Sequence, residues 1–142
     1  MVCSVNYWHH SMDYTISSRK VFYNTLTKTE VANYSGKAGE VIFDSVGEFK
    51  CYLLLKRFKL PIQIHKLNEA LKWKVDFTMK FIGERAKRNP LLTRYGYSLN
   101  RNNELLIEFK GVLDDKTVTR VCAIPDIIRK SLVIVSNSGQ SI

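Results

Sequence analysis

Two short runs, KWKVDF at residues 72–77 and LLIEFKG at residues 105–111, decide how this chain is organised. Both runs alternate apolar and polar side chains, a pattern typical of β-strands with one buried face. The predicted apolar side consists of Val75, Phe77, Met79, Leu105, Ile107 and Phe109. This alternation leaves Asp76 on the polar side of the first strand, and Glu108 with Lys110 on the polar side of the second. The pattern therefore predicts that two carboxylates and a lysine meet at one end of a strand pair.

Such a cluster suits phosphodiester hydrolysis. Mg2+ is a hard ion that binds through one or two carboxylates and fills its other positions with water and phosphate oxygens. An ion held by Asp76 and Glu108 would polarise a phosphate and acidify a water, and Lys110 would orient that water or stabilise the developing charge. The alternative is an ordinary half-buried sheet whose solvated face carries these three residues, because this spacing often arises by chance.

The surrounding sequence favours the first interpretation. Asp76 in VDF, followed by Glu108, Phe109 and Lys110 in IEFKG, resembles the motif of the PD-(D/E)XK nuclease superfamily, with Val75 where proline is commonest. The run IFDSVGEFKCYLLLKRF at residues 42–58 resembles the helix that precedes this motif in phage-borne resolvase-like members. The resemblance covers roughly residues 40–136, and its three pieces occur in the family's order.

The resemblance implies a set of roles for particular residues. Asp76, Glu108 and the backbone carbonyl of Phe109 would bind Mg2+, with Mn2+ as a possible substitute. Lys110 would position the water. Two further catalytic positions are implied, Glu48 on the preceding helix and Gln63 on the neighbouring strand. Glu48 also has a structural explanation, because Ser45 followed by Glu48 is a capping-box pattern in which the carboxylate reaches back to the N-cap amide, that of Ser45.

The remaining segments predict one domain over residues 1–142 with an α/β fold, in which helices flank a mixed sheet as in a restriction-endonuclease-like core. The predicted order is strand, helix, two strands, insertion, strand, helix, strand. The predicted elements are a strand within 19–28, a helix over 45–58, strands over 62–67, 71–81 and 105–111, a helical stretch over 114–130 split at Pro125, and a strand over 131–135. Residues 1–18 are expected to form an arm and residues 136–142 a frayed tail. In the helix, Val46, Phe49, Tyr52, Leu53 and Leu55 are expected to be buried, and Gln63 is expected to share a strand face with His65.

The segment at residues 82–103 is strongly basic and lies between the two motif strands. Its cations are Arg85, Lys87, Arg88, Arg94 and Arg101, and Tyr95 and Tyr97 lie among them. Basic side chains release counterions when they bind phosphates, and tyrosines stack on exposed bases. Placed beside the predicted metal site, this insertion is the expected DNA contact, and the alternative is a solvated loop.

The net charge of +9 and the pI near 9.6 favour a polyanionic partner, of which nucleic acid is the commonest. No apolar run approaches 18 residues and no signal peptide is recognisable, so we expect no membrane partner and a cytoplasmic location. The predicted function is a metal-dependent endonuclease for double-stranded or branched DNA. It would be a homodimer or a higher symmetric oligomer, either of the homing type or similar to a Holliday-junction resolvase. The alternative is a nucleic-acid-binding module without catalysis.

Overall fold

The computed structural model describes residues 5–10, 19–111 and 114–137 of the chain. Only residues 5–10 of the predicted arm are among them, and residues 138–142 of the predicted tail lie outside the described residues. Within these ranges the strands are β1 (Asn6–His10), β2 (Val21–Asn24), β3 (Thr29–Glu30), β4 (Glu40–Phe43), β5 (Ile62–Asn68), β6 (Trp73–Lys80), β7 (Glu104–Lys110) and β8 (Leu132–Asn137). The helices are α1 (Val46–Lys56), α2 (Glu84–Lys87), α3 (Pro90–Thr93), α4 (Asp115–Cys122) and α5 (Asp126–Arg129).

The main sheet has five strands in the order β1-β8-β7-β6-β5. Strands β5, β6 and β7 pair antiparallel, whereas β7, β8 and β1 pair parallel. Apolar residues of α1, α2 and α3 pack in a first cluster against one face of this sheet, and those of α4 and α5 pack in a second cluster against the other. The predicted α/β fold, a mixed sheet flanked by helices, is confirmed.

Two parts of the fold were not predicted. Strand β1, expected to be part of an arm, extends the main sheet by pairing parallel with β8, with Tyr7 opposite Ile134. Strands β3, β2 and β4 form a separate three-stranded antiparallel sheet, of which only the β2 segment was expected. Both pairings join segments that carry little alternation of their own, so the sequence pattern could not indicate them.

Helix α1 begins where the capping pattern predicts. The Ser45 side chain accepts a hydrogen bond from the Glu48 amide at 3.1 Å, which satisfies one of the free amides of the first turn. The buried side differs from the prediction at one position, because Leu53 is 41% exposed while Leu54 and Cys51 are buried. Glu48 is itself buried on the side that faces the sheet. The helix therefore presents a carboxylate to the first cluster.

The predicted alternation in β6 is wrong at Val75. Phe77 packs in the first cluster, whereas Val75 packs in the second, with Leu106. The change of side occurs at Asp76, where the pairing of β5 with β6 skips one residue on each strand, His65 and Asp76. The main sheet is thus interrupted at the residue on which the sequence argument rests. Among the described residues, no helix is long and apolar enough to span a membrane.

Candidate active site

The candidate site lies where β6 and β7 separate. Their ladder of paired residues ends at Phe77 and Ile107. Beyond that pair, a backbone amide of each strand donates to a side-chain carboxylate of the other strand instead of to a backbone carbonyl. The Asp76 amide donates to Glu108 Oε1 at 2.8 Å, and the Phe109 amide donates to Asp76 Oδ2 at 2.8 Å. The two carboxylates that the sequence pattern paired are therefore brought together between the strands.

Glu48 reaches the same region from α1. Its Oε1 lies 2.7 Å from His65 Nε2, and only 6% of its side chain is exposed. Its carboxylate therefore hydrogen-bonds the imidazole, although the capping-box alternative predicted a bond to the N-cap amide of Ser45. His65 adopts a left-handed backbone conformation with φ of 54°, which few residues other than glycine adopt. This conformation accompanies the skipped pair of β5 and β6.

Burial and neighbouring groups shift the pKa values of the residues of this site. Burial is the main cause that raises the pKa of Asp76 to about 7, and repulsion by Glu108 and Glu48 raises it further. Burial also raises the pKa of Glu108, against the opposing effects of the Asp76 amide, Lys110 and Arg120. The hydrogen bond to Glu48 is the main cause that raises the pKa of His65. Three carboxylates thus share a poorly hydrated region that a cation would stabilise.

Two basic side chains act on Glu108. Lys110, two residues further along β7, lowers the pKa of Glu108 as the alternation of the strand leads one to expect. Arg120 on α4 lowers it too, and its guanidinium lies over the ring of Trp73 at 4.1 Å from the centroid. Arg120 was not predicted, because nothing in the linear pattern indicates which polar residue of α4 faces β7.

Gln63 does not join the site as predicted. Ile62 and Ile64, on either side of it, pack against the first cluster, so the exposed Gln63 side chain points to the opposite face of the sheet. It pairs with Thr78 rather than with a residue of the acidic cluster. The predicted common face of Gln63 and His65 is also wrong, because the left-handed backbone at His65 turns its side chain toward Glu48.

A second group of ligand-type atoms adjoins the carboxylates. One ligand atom each from Asp44, Glu48 and His65 lie within 4.8 Å of one another. Neither Asp44 nor His65 was predicted as a ligand, because a loop carboxylate and a strand histidine carry no recognisable spacing. Phe109, whose carbonyl was predicted as a metal ligand, donates its amide to Asp76. Its role as a ligand stays a prediction.

The basic insertion folds into α2 and α3, and it packs against the first cluster through Ala86, Leu91 and Tyr97. The five cations predicted to contact DNA are all exposed: Arg85, Lys87, Arg88, Arg94 and Arg101. Tyr95 is 46% exposed and stacks on Tyr97, with the ring centroids 5.9 Å apart. Tyr97 is buried, and its hydroxyl donates to the Tyr7 carbonyl at 2.7 Å. The predicted stacking of Tyr97 on bases is wrong, because its ring is part of the core.

The insertion does not join β6 and β7 beside the acidic cluster, where it was expected. It leaves β6 after Lys80 and returns at Glu104, and each of these residues is four positions from Asp76 or Glu108 along its strand. Four strand residues span about 13 Å. The exposed cations therefore belong to a segment that starts from the opposite end of the strand pair.

Comparisons with protein-family models, curated proteins and solved structures give no match for this chain. The geometry of the carboxylates and the charge of the surface are therefore the observations that bear on function.

Proposed function

We propose that the chain is a Mg2+-dependent DNA endonuclease. The observation that carries the proposal is the convergence of Glu48, Asp76 and Glu108 from a helix and two strands, with Lys110 near Glu108. A solvated sheet face would leave these side chains hydrated and independent. Here they are partly buried and repel one another, an arrangement that costs stability and is common at catalytic sites.

The donor set fits a hard divalent cation. Asp76 and Glu108 each use one carboxylate oxygen to accept a backbone amide. Within the described ranges, no hydrogen bond is formed by the second oxygen of either carboxylate, so both remain available as ligands. Those amide bonds also fix the orientation of the carboxylates, which favours a defined coordination geometry. Mn2+ accepts the same oxygen ligands and would substitute for Mg2+.

Each residue of the site would have a separate role in hydrolysis. Asp76 and Glu108 hold the cation, and Glu48 adds negative charge from α1. When bound, Mg2+ supplies the charge that polarises a scissile phosphate and acidifies a water. Lys110, held next to Glu108 on β7, orients that water and stabilises the negative charge that develops on the phosphate oxygens. Arg120 approaches Glu108 from α4 and is placed to contact the same phosphate.

DNA is the substrate that the charge of the chain favours. The net charge is +9, and the exposed Arg94 and Arg101 of the insertion are suited to phosphate contacts. Both double-stranded and branched DNA remain candidates, since phosphate contacts hold either one and base contacts alone would add sequence specificity. A homodimer or higher symmetric oligomer would bring two sites to the two strands of one duplex. The element order of α1, β5, β6, β7, α4 and β8 also supports the likeness to PD-(D/E)XK resolvases and homing endonucleases.

The test is cleavage of a supercoiled plasmid and of a four-way junction in Mg2+, in Mn2+ and in EDTA. We expect cleavage that needs the metal and that falls at least 100-fold in Lys110→Ala. Lys116→Ala is the matched control, because this lysine is exposed on α4. A Lys110→Ala protein that cuts as fast as the control would refute the mechanism. Tight DNA binding without cleavage in either metal would favour the non-catalytic binding module.

A further inference from the structure

The acidic region contains a second set of metal-ligating atoms besides those of Asp76 and Glu108. Asp44, Glu48 and His65 each offer one ligand atom, and these atoms lie within 4.8 Å of one another. Three protein ligands that leave other positions open are the pattern of reactive metal sites. The presence of an imidazole separates this set from the all-oxygen pair between β6 and β7.

Glu48 is the most buried of the three residues. Its side chain is 6% exposed, and its Oε1 lies 2.7 Å from His65 Nε2. The other oxygen, Oε2, is not one of the buried atoms that lack a partner in the described part of the chain, so it keeps contact with solvent and is open to a ligand. A cation bound there would neutralise a carboxylate that is largely removed from water. The short contact between Glu48 Oε1 and His65 Nε2 is also where a metal ion would displace the shared proton.

The three ligands come from elements that fix them independently. Asp44 directly precedes the helix cap, and the bond between the Glu48 amide and Ser45 Oγ holds the first turn of α1. His65 is held at the skipped pair of β5 and β6. Lys20 lies 3.6 Å from Asp44, but both side chains are more than 60% exposed, and such a surface pair is weak enough for a divalent cation to displace.

We propose that Asp44, Glu48 and His65 bind a transition-metal ion of the Mn2+ or Zn2+ class, at a site distinct from the Mg2+ position of the proposed nuclease. Two carboxylates and one imidazole suit these ions, whereas Mg2+ is bound mainly through oxygen. Asp76 lies across from His65 at the skipped pair, so the two ions would be neighbours. Binding at this site does not depend on the chain being a nuclease.

The test uses Mn2+ alone, without DNA, on the full chain. Isothermal titration calorimetry should show a Mn2+ site that is weakened at least tenfold in Asp44→Asn and in His65→Gln, and that is retained in Asp76→Asn. Asp115→Asn is the matched control, because this aspartate is exposed on α4. Asp44 is also exposed, so its variant should fold even if the His65 variant does not.

Paramagnetic broadening gives a second readout. Substoichiometric Mn2+ should broaden the ring resonances of His65, which the His65→Gln variant identifies, and excess Mg2+ should restore them only weakly. The proposal is overturned if Asp44→Asn binds Mn2+ like the control, or if Asp76→Asn alone abolishes the site. Failure to cleave DNA would refute the proposed function and leave this result unaffected.

Discussion

Replacement of Asp76 by asparagine should stabilise the protein in metal-free buffer at alkaline pH. Burial and the negative charges of Glu108 and Glu48 raise the pKa of Asp76 from 3.8 to about 7. Asparagine has nearly the same shape and keeps an oxygen that can accept the Phe109 amide. It removes only the charge that the site disfavours, so the proposed metal ligand should prove unfavourable for stability.

The size of the effect follows from the shift of the Asp76 pKa. One pKa unit corresponds to 1.36 kcal/mol, so a rise from 3.8 to about 7 corresponds to about 4 kcal/mol when the carboxylate is ionised. Between these values the folded chain holds a proton that the unfolded chain has released. The contribution of Asp76 to stability is therefore most favourable below about pH 4, falls as the pH rises to about 7, and then levels off.

The assay is urea unfolding in EDTA at pH 4.5 and pH 8. Asp76→Asn should exceed wild type by about 2–4 kcal/mol at pH 8 and by about 1 kcal/mol or less at pH 4.5. Asp115→Asn, an exposed control on α4, should change stability by about 0.5 kcal/mol or less at either pH. An Asp76→Asn protein that is no more stable than wild type at pH 8 would refute the assignment of a buried, repelled carboxylate.

Three further predictions concern other parts of the molecule. Gly47→Ala should lower the free energy of unfolding by about 1–3 kcal/mol and weaken Mn2+ binding, because a Cβ there would lie 2.5 Å from the Phe109 ring. Urea unfolding and calorimetry measure the two effects, and a variant with unchanged stability and Mn2+ affinity would contradict the close contact. Tyr97→Phe should cost about 1 kcal/mol in urea unfolding through loss of a partly buried hydrogen bond and leave DNA affinity unchanged, whereas a variant as stable as wild type would contradict the importance of that bond. Arg94→Ala and Arg101→Ala should each weaken DNA binding and reduce its log–log salt slope by about 1, and a slope equal to that of wild type would exclude a phosphate contact.

The sequence predicted the parts of the fold that carry strong local patterns. Strands β5, β6, β7 and β8 and helix α1 all fall within about two residues of their predicted bounds, because alternation, the Ser45 cap and Pro61 are local signals. The pairing of β1 with β8 joins residues more than 120 positions apart, such as Asn6 and Val133. No local pattern records such a choice.

The candidate site likewise has some residues that local patterns predicted and others that they did not. Alternation in β7 predicted that Glu108 and Lys110 act together, and the structure brings Asp76 to them. Gln63 was misplaced because strict alternation assumes a regular strand, and His65 breaks that regularity with a positive φ. Asp44 was missed because its nearness to His65 exists only after α1 has packed on the sheet.

The most direct measurement of the central claim is single-turnover cleavage of supercoiled plasmid by Glu108→Gln, with DNA binding measured in parallel. Glutamine keeps the size of the side chain and removes the charge that would bind the cation. We expect a cleavage rate in Mg2+ that is lower than that of wild type by roughly 1000-fold or more, with DNA affinity unchanged or higher. A Glu108→Gln protein that cuts at the wild-type rate in Mg2+ would contradict it.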